Sequence, residues 1–246
     1  IFCALALCLG LLPGTAWAAE EVSYVEYSWN KDTSTLSSET KSVSDYTTVT
    51  SSHTAWGTSG QTTWYVVSDT VANYERSNIT VSGTVNLILT SGKTLTLNGP
   101  NISLQNSSAV LNIYGQAGNT GKLSVTAGNS SGDAGINLNG GTLNIHGGKV
   151  NATGYTRNSS DAAPGIDVGG SGTLTVYDGT VTATGGTASN SIGRGAGIRV
   201  ISSGTVSIYG GTVTATGASN KSANGYPGAG IGGNGGSSAG GTCGTV

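Results

Sequence analysis

Short apolar-polar-apolar triplets recur along this chain at spacings that alternate two short steps with one long step. From Ile136 the steps are 7, 7 and 16 residues, then 8, 7 and 17, then 8, 7 and 18, ending at Ile231. Each triplet has the length of a very short strand, with its two apolar side chains on one face and the polar one on the other. Two short corners and one long corner in every round predict a coil with three faces.

Such coils are stable only when they stack. If each face lies on its counterpart one coil later, about 4.8 Å away, the apolar side chains of every triplet join one continuous core. The sequence therefore predicts an all-β, three-faced parallel β-helix of about six coils over residues 78–246. Parallel crossovers favour a right-handed winding. The segment "GTVTATGG" at 179–186, which returns as "GTVTATGA" at 211–218, is then the third face of two coils.

Other repeat architectures do not fit. A propeller needs four strands per unit, and a calcium-binding nonapeptide needs an aspartate that the glycine-rich segment "GGNGGSSAGG" lacks. Charged residues make up 9% of the chain and the formal net charge is -2, with ten basic residues scattered along it. This composition excludes the charge-rich type of disorder and gives no footprint for nucleic acid.

Both ends of the chain carry their own signals. Residues 1–18, "IFCALALCLGLLPGTAWA", resemble a truncated signal peptide with a small-x-small cleavage site ending at Ala18. The apolar run of about twelve residues is too short to span a bilayer, so we expect no membrane contact after its removal. Residues 19–77 are predicted to form a Ser/Thr-rich β cap region. The final "GGTCGTV" resembles the opening of another strand, which suggests a segment of a longer surface protein.

One column of outward side chains stands out on the second face. The residues that directly follow the triplets there are aromatic in four successive coils: Tyr114, His146, Tyr177 and Tyr209. Sugars stack on such rings, so the column is a candidate carbohydrate-binding platform. The alternative is a structural ladder, in which the rings stack on one another and shield the corner.

The other faces offer weaker candidates. On the first face, Asp167 and Arg199 are predicted to lie one coil apart and to form an exposed ion pair. On the third face, Asn151, Thr182 and Thr214 are in register and are expected to form a hydrogen-bonded polar ladder. The long corners are candidates for recognition loops, or for plain solvated connections, and carry Tyr155, Arg157, Arg194 and Tyr226.

No catalytic, metal or cofactor site emerges from the sequence. Glycoside hydrolysis needs two carboxylates about 5 to 9 Å apart, whereas the aspartates of the repeats fall at different places in the coil. Calcium takes about six to eight oxygen ligands, which a single Asp167 cannot supply. The sequence thus predicts a protein that is not an enzyme.

Several segments resemble those of secreted bacterial β-helix proteins labelled carbohydrate-binding domain-containing proteins. The resemblance rests on "TTVTSSHTAWGTSGQTTWYVVSD", "ITVSGTVNLILTSGKTLTLNG", "LNIYGQAGNTGKLSV" and the recurrent "GAGI...GTVSIYGGTVTATG". It covers about residues 45–246 and implies the β-helix fold and, for some members, polysaccharide binding. The usual "GAGIGGG" corner is replaced here by Gly165-Ile166-Asp167-Val168 and Gly197-Ile198-Arg199-Val200.

These observations lead to three functional hypotheses. The first is a secreted or cell-surface, non-catalytic β-helix that binds polysaccharide or serves in surface display. The second is a purely structural stalk or adhesin segment of a larger surface protein. The third is a polysaccharide lyase or hydrolase, which the absence of an acid/base set disfavours.

Overall fold

The computed structural model describes residues 20–73, 78–128, 134–156, 162–188, 194–219 and 227–233. Every regular element in these ranges is a β-strand. The predicted signal peptide and two candidate residues of the long corners, Arg157 and Tyr226, lie outside the described residues.

The strands are numbered in chain order. They are β1 (Val22–Asn30), β2 (Thr35–Val43), β3 (Thr47–Thr48), β4 (Ala55–Trp56), β5 (Thr62–Val67), β6 (Val71–Asn73), β7 (Ile79–Val81), β8 (Thr84–Leu89), β9 (Thr94–Gly99), β10 (Ile102–Leu104), β11 (Val110–Gly115), β12 (Lys122–Ala127), β13 (Ile136–Asn139), β14 (Thr142–Ile145), β15 (Lys149–Thr153), β16 (Ile166–Gly169), β17 (Thr173–Val176), β18 (Thr180–Thr184), β19 (Ile198–Val200), β20 (Thr205–Ile208), β21 (Thr212–Thr216) and β22 (Ile231–Gly232).

Three parallel sheets form the faces of the coil. Sheet A has the order β3-β5-β8-β11-β14-β17-β20, sheet B the order β4-β7-β10-β13-β16-β19-β22, and sheet C the order β6-β9-β12-β15-β18-β21. The chain visits sheets B, A and C in turn, once per coil. The predicted three-faced parallel β-helix is therefore confirmed.

The register of the sheets follows the sequence repeat. Ile136 pairs with Ile166, Leu143 with Leu174, and Val150 with Val181, so each apolar triplet lies directly on the next one. From Ile79 onward the strands form five complete coils, β7–β9 to β19–β21, and β22 opens a sixth. The inward side chains of these strands form one buried cluster along the helix axis.

The parallel sheets extend N-terminal of Asn78, where the repeat becomes visible in the sequence. β3 and β5 continue sheet A, β4 continues sheet B, and β6 continues sheet C. Large side chains replace the usual Leu, Ile and Val at this end: Trp56 is 1% exposed and Tyr65 is 8% exposed. Aromatic rings thus fill the core at the N-terminal end of the solenoid.

Several corners bring backbones so close together that only glycine fits. A Cβ atom on Gly172, in the corner between sheets B and A, would lie 2.0 Å from the carbonyl oxygen of Leu138 in the preceding coil. The Gly172 amide also closes a turn by donating to the Gly169 carbonyl at 2.9 Å. The glycine-rich composition of the corners therefore follows from the close stacking of successive coils.

We expect Gly172→Ala to lower the free energy of unfolding by about 3 kcal/mol, because the added methyl group meets rigid backbone. Gly92→Ala is the matched control. Gly92 has a φ of +73° but no atom within 4 Å of its added Cβ, so only the backbone strain of about 1 kcal/mol applies. Chemical denaturation followed by circular dichroism measures both values. Equal losses would contradict the close approach at Gly172.

Candidate functional site

The aromatic column predicted on the second face lies on the outer surface of sheet A, at the carboxyl ends of its strands. Its rings stack in order along the helix axis. The ring centroids of Tyr114 and His146 are 4.7 Å apart, those of His146 and Tyr177 are 4.7 Å apart, and those of Tyr177 and Tyr209 are 5.6 Å apart. The interplanar angles of 13° to 27° give offset stacks, in which the faces of the rings are turned toward one another.

An antiparallel hairpin covers this column. Strands β1 and β2 pair along their whole length, and β1 meets sheet A through one antiparallel bridge between Val25 and Gly115. The Tyr27 amide donates a hydrogen bond to His146 Nδ1 at 3.2 Å. β1 therefore crosses successive coils rather than joining sheet A as a further parallel strand.

Aromatic side chains of β1 contact both ends of the column. The Tyr24 ring lies 4.7 Å from the Tyr114 ring and 4.9 Å from that of Trp64 in β5, and Trp29 stacks on Tyr209 at 4.7 Å. Tyr114 is left 4% exposed and His146 7% exposed. Tyr177 and Tyr209 are half-buried. The column is thus brought together as predicted, but β1 contacts it at both ends and two of its four rings are buried.

A carboxylate of the hairpin contacts the hydroxyl group at one end of the column. Glu26 forms an ion pair with Lys41 of β2 and accepts a hydrogen bond from the Tyr114 hydroxyl at 3.3 Å. Burial favours the neutral form of Glu26, but the hydrogen bond and charge of Lys41 outweigh it and lower the Glu26 pKa. Burial, and then the charge of Glu26, raise the pKa of the Tyr114 hydroxyl. The phenol therefore stays protonated and can donate to the carboxylate.

His146 is held as a neutral ring. Burial lowers its pKa below the ordinary value of 6.5, although the nearby Glu26 carboxylate acts in the opposite direction. An amide donor pointing at Nδ1 requires a lone pair on that nitrogen, which places the ring proton on Nε2. His146 thus contributes a stacked ring and an acceptor for β1.

The buried neutral His146 predicts a pH-dependent stability. In the unfolded chain the ring takes up a proton near pH 6.5, whereas in the folded chain it does so only at lower pH, so stability is lost as pH falls below about 6.5. Glu26, whose folded-state pKa is lowered, adds a further loss only below its ordinary value of 4.5. The two contributions are therefore separated in pH.

We expect the melting temperature of the wild type to fall between pH 7 and pH 5. His146→Phe keeps a stacked ring but cannot titrate, so its melting temperature should vary less over the same interval. Thermal unfolding at several pH values measures the difference. An unchanged slope in the variant would show that another group is responsible.

The stacked contacts of Tyr177 and Tyr209 predict how their replacement by alanine changes stability. Tyr177→Ala with Tyr209→Ala should lower the free energy of unfolding by about 2 kcal/mol or more, because three stacked contacts are lost. Polysaccharide retention should be unchanged if the column is a structural ladder. Tyr155→Ala, at a half-buried tyrosine outside the column, is the control. Loss of retention without loss of stability would instead favour the sugar platform.

The predicted ion pair on the first face is present in sheet B, but the expectation that it is exposed is wrong, because Asp167 is buried and Arg199 is half-buried. Asp167 and Arg199 are in register on adjacent strands, and the guanidinium makes two hydrogen bonds to the carboxylate, one from Nε to Oδ1 at 2.7 Å and one from Nη2 to Oδ2. Asp167 is 8% exposed. The opposite charges of Asp167 and Arg199 therefore compensate each other in the folded protein.

A hydrogen-bonded polar ladder exists, but on sheet A rather than on the third face. The side-chain amides of Asn86, Asn112 and Asn144 donate to one another along the axis at 2.8 and 2.9 Å. The amide is long enough to bridge neighbouring coils, with its NH2 group directed at one neighbour and its oxygen at the other.

The expectation of a similar ladder on sheet C is wrong. In the described part of the chain, the side chains of Asn151, Thr182 and Thr214 are in register but make no hydrogen bonds to one another. Hydroxyls in matching rotamers keep the strand separation of about 4.8 Å, which exceeds hydrogen-bonding distance. These groups are therefore directed at solvent.

Sheet C presents three such polar columns side by side on its outer surface, which we call the sheet C face. Its side chains are half-buried or exposed, and neither β1 nor β2 pairs with sheet C. The columns are Thr94, Lys122, Lys149, Thr180 and Thr212; then Thr96, Ser124, Asn151, Thr182 and Thr214; then Asn98, Thr126, Thr153, Thr184 and Thr216.

The long corners and the N-terminal end contribute less. Arg194 is 1% exposed and Tyr155 is half-buried, so neither is displayed as an open recognition side chain. An open cleft of about 360 Å³ lies between residues 48–51 and 69–72, beside the first strand of sheet C. Its lining is made of Thr, Ser, Val, Ala and one Asp.

The sequence predicted the aromatic column but not that the β1–β2 hairpin contacts it. Tyr24, Tyr27 and Trp29 all lie in the aromatic cluster "VSYVEYSW", whose alternation indicates a strand. Nothing in that alternation states which surface the strand meets. The excess of aromatic residues on a hairpin and in a column of the same chain is the signal that could have linked them.

Neither a metal-binding cluster nor a membrane-spanning helix is present in the described ranges. No group of three or more His, Cys, Asp or Glu side chains there is arranged to hold a metal ion. The same ranges contain no helix with the length and apolar character needed to span a bilayer.

The fold and the site stand without a matching relative. No protein-family model, no curated protein and no solved structure matches this chain. The functional argument therefore rests on the structure, which is a parallel β-solenoid rich in threonine. It has an aromatic column contacted by a hairpin and a polar sheet C face that no strand covers in the described residues.

Proposed function

We propose that the chain is a secreted or cell-surface, non-catalytic β-helix that binds polysaccharide on the sheet C face. The observation that carries this proposal is the set of in-register hydroxyl and amide side chains on that face that make no hydrogen bonds within the described protein. A polysaccharide chain carries many hydroxyl groups, each of which can both donate and accept hydrogen bonds. These hydroxyl groups can replace the water molecules that hydrate the side chains of such a surface.

The rigidity of the scaffold supports this assignment. In β18, for example, the outward Thr182 lies between Val181 and Ala183, which are both 0% exposed. The backbone that positions the hydroxyls is therefore fixed by the core, and binding needs little further ordering of the protein. A repeating ligand can meet a repeating surface in the same way at each coil.

The aromatic column supports sugar stacking less well. A sugar needs an open ring face, and the faces of Tyr114 and His146 are turned toward neighbouring rings in a buried stack. Tyr177 and Tyr209 are more exposed, but each also stacks on its neighbours. The sheet C face is the better candidate because its polar side chains make no hydrogen bonds to other described residues.

A pair of matched double variants tests the proposal. Thr182→Val with Thr214→Val removes two hydroxyls of the sheet C face while keeping the branched side-chain shape. Thr173→Val with Thr205→Val makes the same change at in-register positions of sheet A. We expect affinity electrophoresis on a panel of polysaccharides to show about tenfold weaker retention for the first variant only, since each lost hydrogen bond contributes about 0.5 to 1.5 kcal/mol.

Equal retention of both variants and the wild type would place binding elsewhere. If the wild type is retained by no polysaccharide of the panel, the second candidate function, a structural stalk or adhesin segment, is favoured. The observation that supports this alternative is the ring stack beneath the hairpin, which reinforces the solenoid along its axis.

A further inference from the structure

Two lysines lie next to each other on the sheet C face. Lys122 of β12 and Lys149 of β15 are in-register partners on adjacent parallel strands, so their backbones are about 4.8 Å apart. Lys149 is exposed and Lys122 is half-buried. Both side chains leave the sheet in the same direction because residues at the same register share a face.

Neither ammonium group forms an ion pair within the described ranges. The ion pairs there involve Lys41, Lys93 and Arg199 instead. Of the carboxylates that border this side of the solenoid, Asp69 pairs with Lys93 at 3.4 Å, and Asp178 accepts a hydrogen bond from Asn119 at 2.7 Å. The two lysines therefore form a concentrated positive charge in a chain whose formal net charge is -2.

Such an arrangement costs stability in the isolated protein. Like charges directly opposite each other on neighbouring strands repel, and the neighbouring coils show that the position does not need a charge, since it is occupied by Thr94, Thr180 and Thr212. An anionic group placed between the two ammonium groups would turn this repulsion into attraction. The hydroxyl of Ser124 and the amide of Asn151, one column further along, lie in register beside the two lysines.

We propose that Lys122 and Lys149 determine the specificity of the sheet C face and select polysaccharides that carry carboxylate groups. The carboxylate lies between the two ammonium groups, and the hydroxyls of the same sugar chain contact the neighbouring polar columns. This inference rests on the proposed polysaccharide-binding function of the same face. It adds the chemical class of the ligand, an acidic rather than a neutral polysaccharide.

The test compares two polymers with the same sugar backbone, polygalacturonate and its fully methyl-esterified form, in which a neutral methyl ester replaces each carboxylate. Retention of the full chain is measured by affinity electrophoresis at low and at physiological salt. The wild type should bind polygalacturonate more tightly than the ester, and the difference should shrink as salt screens the charges. Lys122→Gln with Lys149→Gln should weaken binding of polygalacturonate by about tenfold and leave binding of the ester unchanged.

Single variants provide the control for charge. Lys149→Gln should weaken retention on polygalacturonate, whereas Lys31→Gln, which removes the same charge from the exposed turn between β1 and β2, should not. The melting temperature of the double lysine variant should equal or exceed that of the wild type, because the repulsion is relieved. This measurement separates lost binding from lost folding.

The possible failures are distinguishable. If the wild type binds both polymers and the double variant binds like the wild type, the assignment of the lysines is wrong while the proposed function stands. A preference for the esterified polymer overturns the assignment in the same way. If the wild type binds neither polymer nor any other polysaccharide of the panel, the proposed function fails and the lysine assignment fails with it.

Discussion

The structure depends on the vertical stacking of apolar side chains from one coil to the next. Leu111, Leu143 and Leu174, for example, lie at the same register of successive strands of sheet A, and all three are 0% exposed. No coil could bury these residues alone, because a strand of four to six residues has too little surface. The core therefore forms only as the coils accumulate, and the backbone approaches that exclude side chains at the corners follow from the same close stacking.

The hairpin of β1 and β2 covers aromatic side chains that the stacked coils place on the outside of the solenoid. In this protein the aromatic column runs along an outer corner, and β1 crosses the coils with Tyr24 at one end of the column and Trp29 at the other. Because one strand contacts Trp64 of β5, Tyr114 of β11, and the residues that directly follow β14 and β20, the hairpin links coils that are distant in sequence. His146 acts here as a buried acceptor and a stacked ring.

The length of the polar side chain separates the two outer surfaces that the repeats produce. Asn112 and its neighbours reach across the strand spacing and satisfy one another, so that column of sheet A is closed on itself. The hydroxyls of Thr182 and Thr214 do not reach, so sheet C directs its polar groups outward. This difference is the physical basis for proposing that a ligand binds to sheet C, and the lysine pair on that face is the basis for proposing an acidic ligand.

The spacing of the apolar triplets by itself determined the fold, its three faces, the register of its strands and the membership of the aromatic column, because alternation and repetition are local properties of the chain. The ion pair between Asp167 and Arg199 was predictable for the same reason. The structure decided what covers each face: which residues Tyr24 and Trp29 meet, where β3 to β6 join the sheets, and which polar columns bond internally. These outcomes depend on contacts between segments far apart in sequence and on the reach of individual side chains, which periodicity does not encode.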